Sequence, residues 1–285
     1  MLVKLKKILT AGVKSTEYLK EIDQSAKIFL YNELQNQIKQ NNPESIIAHG
    51  YKVFSQVDED GIIENIFKNI SVRNKLFVEI GCGNGLENNT HYLAIKGWRG
   101  VWVDGSLENI NFIKSKIKDT KDKLVISQNI ITPENVIETI TLLVNRLSMG
   151  TLQIDLLSLD IDGYDFEVLE QAITLKPRVV CVEYNPEFRP PLSLSVKRGH
   201  YKSWDTTMYH GASLQSLYEM MTLKNYALVS CSLSGYNAFF VHKDELGPLT
   251  PKLPDEVYQP PREFLVGVRF GHKKSFGFLN QILSS

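Results

Sequence analysis

Apolar positions recur at three- and four-residue spacing through the first part of the chain. Ile22, Ala26 and Phe29, then Leu30, Leu34 and Ile38, alternate with polar Glu21, Gln24, Lys27 and Asn32. That is the period of an amphipathic helix, and Asn41-Asn42-Pro43 supplies a stop. Residues 1–50 therefore read as a helical extension that either caps the main domain or meets a second copy in a homo-oligomer.

From about residue 75 the pattern changes. Short apolar runs at Leu76–Ile80, Gly100–Val103, Leu124–Ile126, Leu156–Leu159 and Val179–Val182 are separated by longer amphipathic segments at about 87–96, 107–118, 134–147 and 165–175. Short buried strands alternating with helices predict a mainly parallel sheet covered on both faces. Ala227–Ser232 and Ala238–Val241, joined through Ser-Gly-Tyr, predict a closing antiparallel hairpin. The expected fold class is α/β and Rossmann-like: seven mainly parallel strands, an antiparallel last strand and the N-terminal helical extension. The main domain spans 51–245, with a long aperiodic loop at 186–210 and a C-terminal extension at 246–285.

Phe77-Val78-Glu79-Ile80-Gly81-Cys82-Gly83-Asn84-Gly85 runs from a strand into three glycines at alternate positions. Such a loop turns sharply and lets a ligand approach the main chain. A dinucleotide fingerprint needs glycine or alanine where Leu86 stands, so nicotinamide and flavin readings lose weight. Glu79 ahead of the loop suits a cationic ligand end, such as an amino-acid ammonium. Asp104 ends the next strand, where an acid can accept both hydroxyls of a ribose. An acid, a G-x-G-x-G loop and a second acid, in that order, describe a site for S-adenosylmethionine (SAM), and the chain resembles the class I methyltransferases here.

Further segments narrow the likeness. They are Phe54-Ser55-Gln56, Glu59-Asp60-Gly61, Gly85-Leu86-Glu87-Asn88-Asn89-Thr90, Leu157-Ser158-Leu159-Asp160-Ile161-Asp162-Gly163, Glu183-Tyr184-Asn185, Tyr209-His210-Gly211-Ala212-Ser213 and Asn237-Ala238-Phe239-Phe240. Together they look like the FkbM-related methyltransferases, especially a bacterial branch among surface-glycan genes, over roughly residues 50 to 242. The resemblance implies a SAM-dependent O-methyltransferase acting on a sugar hydroxyl, nucleotide-linked or part of a surface glycan. It matches Glu79, Gly81, Gly83 and Asp104 to the cofactor motif and puts Asn129 near the adenine. Asn89 and Ser106 are expected at the same mouth. Gln56 and Asp60 are expected beneath the methionine end, unless Asp60-Gly61 is only a turn before a helix.

Transfer of a methyl group to a sugar hydroxyl needs positioning and a way to stabilise an alkoxide: a base, a divalent metal, or both. Asp160 and Asp162 lie at the end of the fourth strand, where open α/β sheets bind ligands. Glu183 and Asn185 repeat the spacing at the end of the fifth. Oxygen donors of this kind suit Mg²⁺ or Mn²⁺. The resemblance implies Asp160 and Glu183 as metal ligands, with Asn185 beside them, and Asp162 as base. The chain departs from the metal-dependent pattern, which has paired aspartates where Glu183-Tyr184-Asn185 stands. His210 is the other candidate base, with a pKa near neutrality when unperturbed. In the 186–210 loop, Arg198, Tyr201 and Trp204 suit a sugar on a phosphate-bearing carrier, and Tyr184 is a further candidate acceptor contact.

Composition adds exclusions. Lys plus Arg and Asp plus Glu both number 32, a net charge of zero that argues against a nucleic-acid partner held by a broad cationic field. Cys82, Cys181 and Cys231 form no C-x-x-C pair, which fits a reducing, cytoplasmic setting. No stretch of the sequence approaches a transmembrane span. A methyltransferase for another small metabolite would keep the same core, and a non-catalytic SAM-binding protein would not need Asp160, Asp162, Glu183 or His210.

Overall fold

The computed structural model describes residues 2–117, 120, 122–150, 152–197, 199 and 207–284, with side chains from Thr16 onward. Helices α1 (Leu2–Asn41) and α2 (Glu59–Asn69) precede a repeating unit of strand and helix. That unit runs β1 (Leu76–Ile80), α3 (His91–Ile95), β2 (Arg99–Asp104), α4 (Leu107–Lys116), β3 (Leu124–Gln128), α5 (Val136–Asn145), β4 (Leu156–Leu159), α6 (Asp165–Ala172) and β5 (Val179–Glu183). After α7 (Leu214–Leu223) come β6 (Tyr226–Cys231), β7 (Asn237–His242), α8 (Pro254–Val257) and α9 (Gly277–Ser284).

The strands form one sheet in the order β3-β2-β1-β4-β5-β7-β6. β1 to β5 pair in parallel, and β7 runs antiparallel between β5 and β6. This is the Rossmann-like architecture expected, with its one reversed strand. The chain starts in the middle and winds outward in both directions, so the order reverses between β1 and β4. A crevice opens at their C-terminal ends, the ligand position of open α/β sheets.

The two-residue period of the strands divides the core into two layers. Val78, Ile80, Val101, Leu157 and Val180 face Val136, Ile140, Val168, Leu169 and Leu217 of α5, α6 and α7. Phe77, Trp102, Leu156 and Val179 face Ile62, Ile66, Leu93, Ile110 and Ile113 of α2, α3 and α4. Phe276, Leu279 and Leu283 are buried in this second layer, so the C-terminal residues complete the covering of the sheet. At the opposite end from the crevice, Arg178 is buried between Asp155 (2.6 Å) and Glu245 (2.9 Å). Among the described residues no helix is long and apolar enough to cross a membrane.

Two local outcomes differ from the pattern read in the sequence. The helix expected over 87–96 begins only at His91, because the Glu79 carboxylate holds the Asn89 and Thr90 amides ahead of it. In α1 the apolar positions split onto two faces. Tyr31 and Gln35 are buried against the body, with Leu34 and Ile38 half-buried, while Ile22 and Phe29 are about two-thirds exposed at 64% and 66%.

Candidate active site

The glycine loop follows β1 at the reversal point of the sheet. Gly81 and Cys82 donate to the Val103 carbonyl at 2.8 and 3.1 Å, which folds the loop over the end of β2. A Cβ on Gly81 would lie 1.5 Å from the Asp160 carbonyl oxygen, and its φ is +85°. Only glycine lets β1 and β4 approach this closely. Gly83 has φ +54° and open space where its Cβ would be, so the main chain there is exposed to whatever fills the crevice.

Asp104 stands across from this loop. Its carboxylate accepts from the Gly83 amide (2.7 Å), the Ser106 amide (2.8 Å) and Asn109 Nδ2 (3.3 Å). Ser106 caps α4 by accepting from the Asn109 amide. Asn129 donates from its amide to the Asp104 carbonyl (3.1 Å) and from Nδ2 to Ser127 Oγ (2.6 Å). Gly81, Gly83, Asp104, Ser106 and Asn129 line one cavity of about 710 Å³, closed on its far side by Asp160, Asp162 and Tyr164. Ile130 and Ile131 add an apolar wall. The volume lies in the ordinary range for a small-molecule site.

Four expected cofactor residues lie elsewhere. Glu79 shares the Phe77 side of β1 and is buried beneath the loop, accepting from the Asn89 amide (2.8 Å), the Thr90 amide (3.2 Å) and the Thr90 hydroxyl. Burial raises its pKa to about 7 against the lowering pull of these hydrogen bonds. It shapes the loop from behind and does not line the cavity. Asn89 is turned inward, donating to Ser158 Oγ at 3.1 Å. Asp60 is buried too; its Oδ2 accepts from the amides of Val53, Phe54 and Ser55 at 2.7–2.8 Å, which fixes the loop ahead of α2. Gln56 is half-buried in that loop, its carbonyl accepting from Lys52.

The catalytic candidates converge at the ends of β4 and β5. Asp165 accepts from the Ile161 amide (2.8 Å) and the Gly163 amide (3.0 Å). This closes a tight loop in which Asp162 takes a left-handed backbone, φ +55°, and remains exposed. Asp160 and Glu183 are half-buried and hydrogen-bonded to each other. Burial, reinforced by neighbouring carboxylates, pushes both far above the usual carboxylate range and raises Asp165 as well. One oxygen from each of Asp160, Asp165 and Glu183 lies within 4.8 Å of the others.

A second cavity, of about 240 Å³, adjoins the first. Asp162, Glu183, Glu187, His210, Tyr236 and Glu263 are among its walls. Asp162 lines both cavities. His210 is brought there by Asn185, whose Nδ2 donates to the Met208 carbonyl (2.9 Å) and the His210 carbonyl (3.1 Å), and whose Oδ1 accepts from the Glu187 amide. These bonds use both Nδ2 protons of Asn185 to hold the 208–210 segment, and Asn185 itself lines the smaller cavity. Tyr184, one residue earlier, points to the opposite side of β5, where it is fully buried and donates to the Gln259 carbonyl at 3.0 Å. It is a core residue and not an acceptor contact. Arg198, Tyr201 and Trp204 lie outside the described residues.

Sequence reasoning passed over Asp165, Asn109, Tyr236 and Glu263. Asp165 was within reach, since D-x-D-G-x-D places a third acid at the start of the next helix. Glu263 carried no local signal, because it arrives from a segment more than a hundred residues beyond Asp162. A larger cleft of about 990 Å³ lies at the other edge, between α1, β6 and the C-terminal segment, and holds none of the candidate residues.

No protein-family model matches the chain, and no curated protein is significantly similar to it. Several solved structures follow a similar chain path. The N-terminal domain of EvdMO1 with S-adenosylhomocysteine (SAH) bound is 11% identical over 74% of this chain and 94% of its own, with a TM-score of 0.40. The CurJ carbon methyltransferase is 12% identical over 65% and 52%, at 0.39. An O-methyltransferase from Bacillus cereus in complex with SAH is 16% identical over 58% and 72%, at 0.36.

Proposed function

We propose that this protein is a SAM-dependent O-methyltransferase whose acceptor is a polyhydroxylated, sugar-like molecule. The observation that carries this reading is the position of Asp162 in the wall shared by two adjoining cavities. The larger has glycine main chain on one side and Asp104 on the other, the chemistry that suits a nucleoside with an amino-acid tail. SAM bound there would supply a methyl group carried on a sulfonium sulfur, with a neutral thioether as the leaving group. Asp104 and Asn129 hold the nucleoside end, and Gly81 and Gly83 allow the tail to lie against the main chain. Asp162 takes the proton from the acceptor hydroxyl, and His210 orients that hydroxyl in the smaller cavity.

Asp160 and Glu183 fit a divalent cation, since two carboxylates in contact need either a shared proton or a cation between them. A cation there would lower the pKa of a coordinated hydroxyl. Asp162, Glu187 and Glu263 make the smaller cavity acidic, so any phosphate of a nucleotide-linked acceptor lies outside it. That same lining favours, as a second reading, an acceptor carrying a protonated amine.

The test is mass spectrometry of nucleotide-linked sugars, free sugars and amino sugars incubated with enzyme and SAM, with and without EDTA. A product heavier by one methylene is expected, with loss of turnover in EDTA. Asp162→Asn should lower kcat by about 100-fold or more while leaving SAH affinity unchanged, and Asp104→Ala should weaken SAH. Full turnover by Asp162→Asn would remove that residue as base. Stabilisation by NADH and not by SAH would sink the cofactor assignment.

A further inference from the structure

The N-terminal helix presents a second apolar seam that the body of the protein does not cover. Gln24, Ile28, Tyr31, Gln35 and Ile38, spaced four, three, four and three residues apart, form the face on the body. Tyr31 and Gln35 are buried there, the Tyr31 ring meets Phe270, and Gln24 accepts from the Arg269 amide. Leu19, Ile22, Ala26 and Phe29 have the same alternating spacing but stand two residues out of step. At 3.6 residues per turn that offset is about 200°, the opposite side of the helix. Leu19, Ile22 and Phe29 are 64%, 64% and 66% exposed. Tyr18 and Leu30 widen the strip at 66% and 42%. In the sequence the same spacing extends back through Ser15 and Gly12 to Ile8 and Leu5, the a/d repeat of a coiled coil.

We infer that this seam pairs with the same seam of a second copy, in an antiparallel two-fold coiled coil. The charge pattern selects both occupant and direction. Residues 1–15 carry Lys4, Lys6, Lys7 and Lys14 and no carboxylate, whereas residues 16–23 carry Glu17, Glu21 and Asp23 against Lys20. An antiparallel pair centred near residue 15 sets each basic half against the partner's acidic half. A parallel pair would set lysines against lysines. Such a contact is isologous and closes at two chains. An anionic membrane would attract the first half of the helix but repel the second, where the exposed strip is best formed.

The experiment is the solution mass of the whole chain by light scattering at micromolar concentration. The wild type should have twice the monomer mass of 32.4 kDa. Ile22→Lys with Phe29→Lys should have the monomer mass, with unchanged circular dichroism and SAH affinity, because both side chains are exposed and remote from the site. Ala26→Cys reads the direction: an antiparallel pair keeps the two thiols far apart, so mild oxidation should give no cross-link. The native cysteines are buried and do not interfere. A monomeric wild type, or a double variant that keeps the doubled mass, overturns the pairing. A ready Ala26→Cys cross-link overturns the antiparallel direction. A monomer that sediments with phosphatidylglycerol vesicles assigns the seam to a lipid surface and also overturns it.

Discussion

Gly81 and Gly83 are two residues apart and answer to different constraints. Gly81 is fixed by the protein itself, because a Cβ there would fall on the Asp160 carbonyl. A Cβ on Gly83 would meet no protein atom within 4 Å; what a side chain there must accept is a positive φ, which costs a non-glycine residue about 1–2 kcal/mol. Gly81→Ala should therefore lower stability by about 3 kcal/mol and remove SAH binding. Gly83→Ala should fold with a loss of about 1 kcal/mol, yet bind SAH about tenfold more weakly or worse, about 1.4 kcal/mol. Thermal melts and calorimetry on the pair separate the two roles. Equal stability for both variants would contradict the close approach of β1 and β4.

At the scale of elements, the two ends of the sheet do different work. The C-terminal ends carry the cavities, while the N-terminal ends are tied by Arg178, which bridges Asp155 at the start of β4 and Glu245 after β7. Asp155 also accepts the amides of Arg73, Asn74 and Leu76, so one buried carboxylate organises the entry to β1. Removing a single partner from a buried pair leaves a charge without compensation. Arg178→Met is expected to cost about 3–5 kcal/mol by chemical denaturation and to leave SAH affinity of the folded fraction unchanged. A shift in affinity comparable to the loss in stability would show that the two ends are coupled.

Taken as a whole molecule, the protein gathers several carboxyl groups near the C-terminal ends of its central strands. Glu79, Asp160, Asp165 and Glu183 all have raised pKa values, burial being the first cause of each. An acid that holds its proton longer when folded contributes stability below its unfolded pKa and loses it as pH rises through the folded one. For Glu79 that window runs from the ordinary 4.5 to about 7, worth roughly 3 kcal/mol. The other three act in the same direction. The melting temperature should fall between pH 5 and pH 8, and Glu79→Gln should flatten the profile. A melting temperature that rises over this interval would mean that these groups are ionised in the folded state.

Strand positions and the glycine turn were fixed by local sequence, because strand burial and tight turns have short-range signatures. β1 and β4 have the bounds that their apolar runs predict, and Gly81, Gly83, Asp104, Ser106 and Asn129 meet at one cavity because each lies at, or just after, the C-terminal end of a parallel strand. Which side of a strand a residue takes is a two-residue matter, and it parts Glu183 and Asn185 from the buried Tyr184. What local pattern could not contain was competition for the same groups. Asn89, Asp60 and Asn185 have the right chemistry for ligands, but the fold draws on their side chains internally: Asn89 donates to Ser158 Oγ, while Asp60 and Asn185 hold backbone groups. Only the tertiary structure decided that, and only it brought Glu263 to the smaller cavity and left one side of α1 uncovered. Hydrogen-bond partners and covered faces depend on elements distant in the chain, whereas periodicity and turns do not.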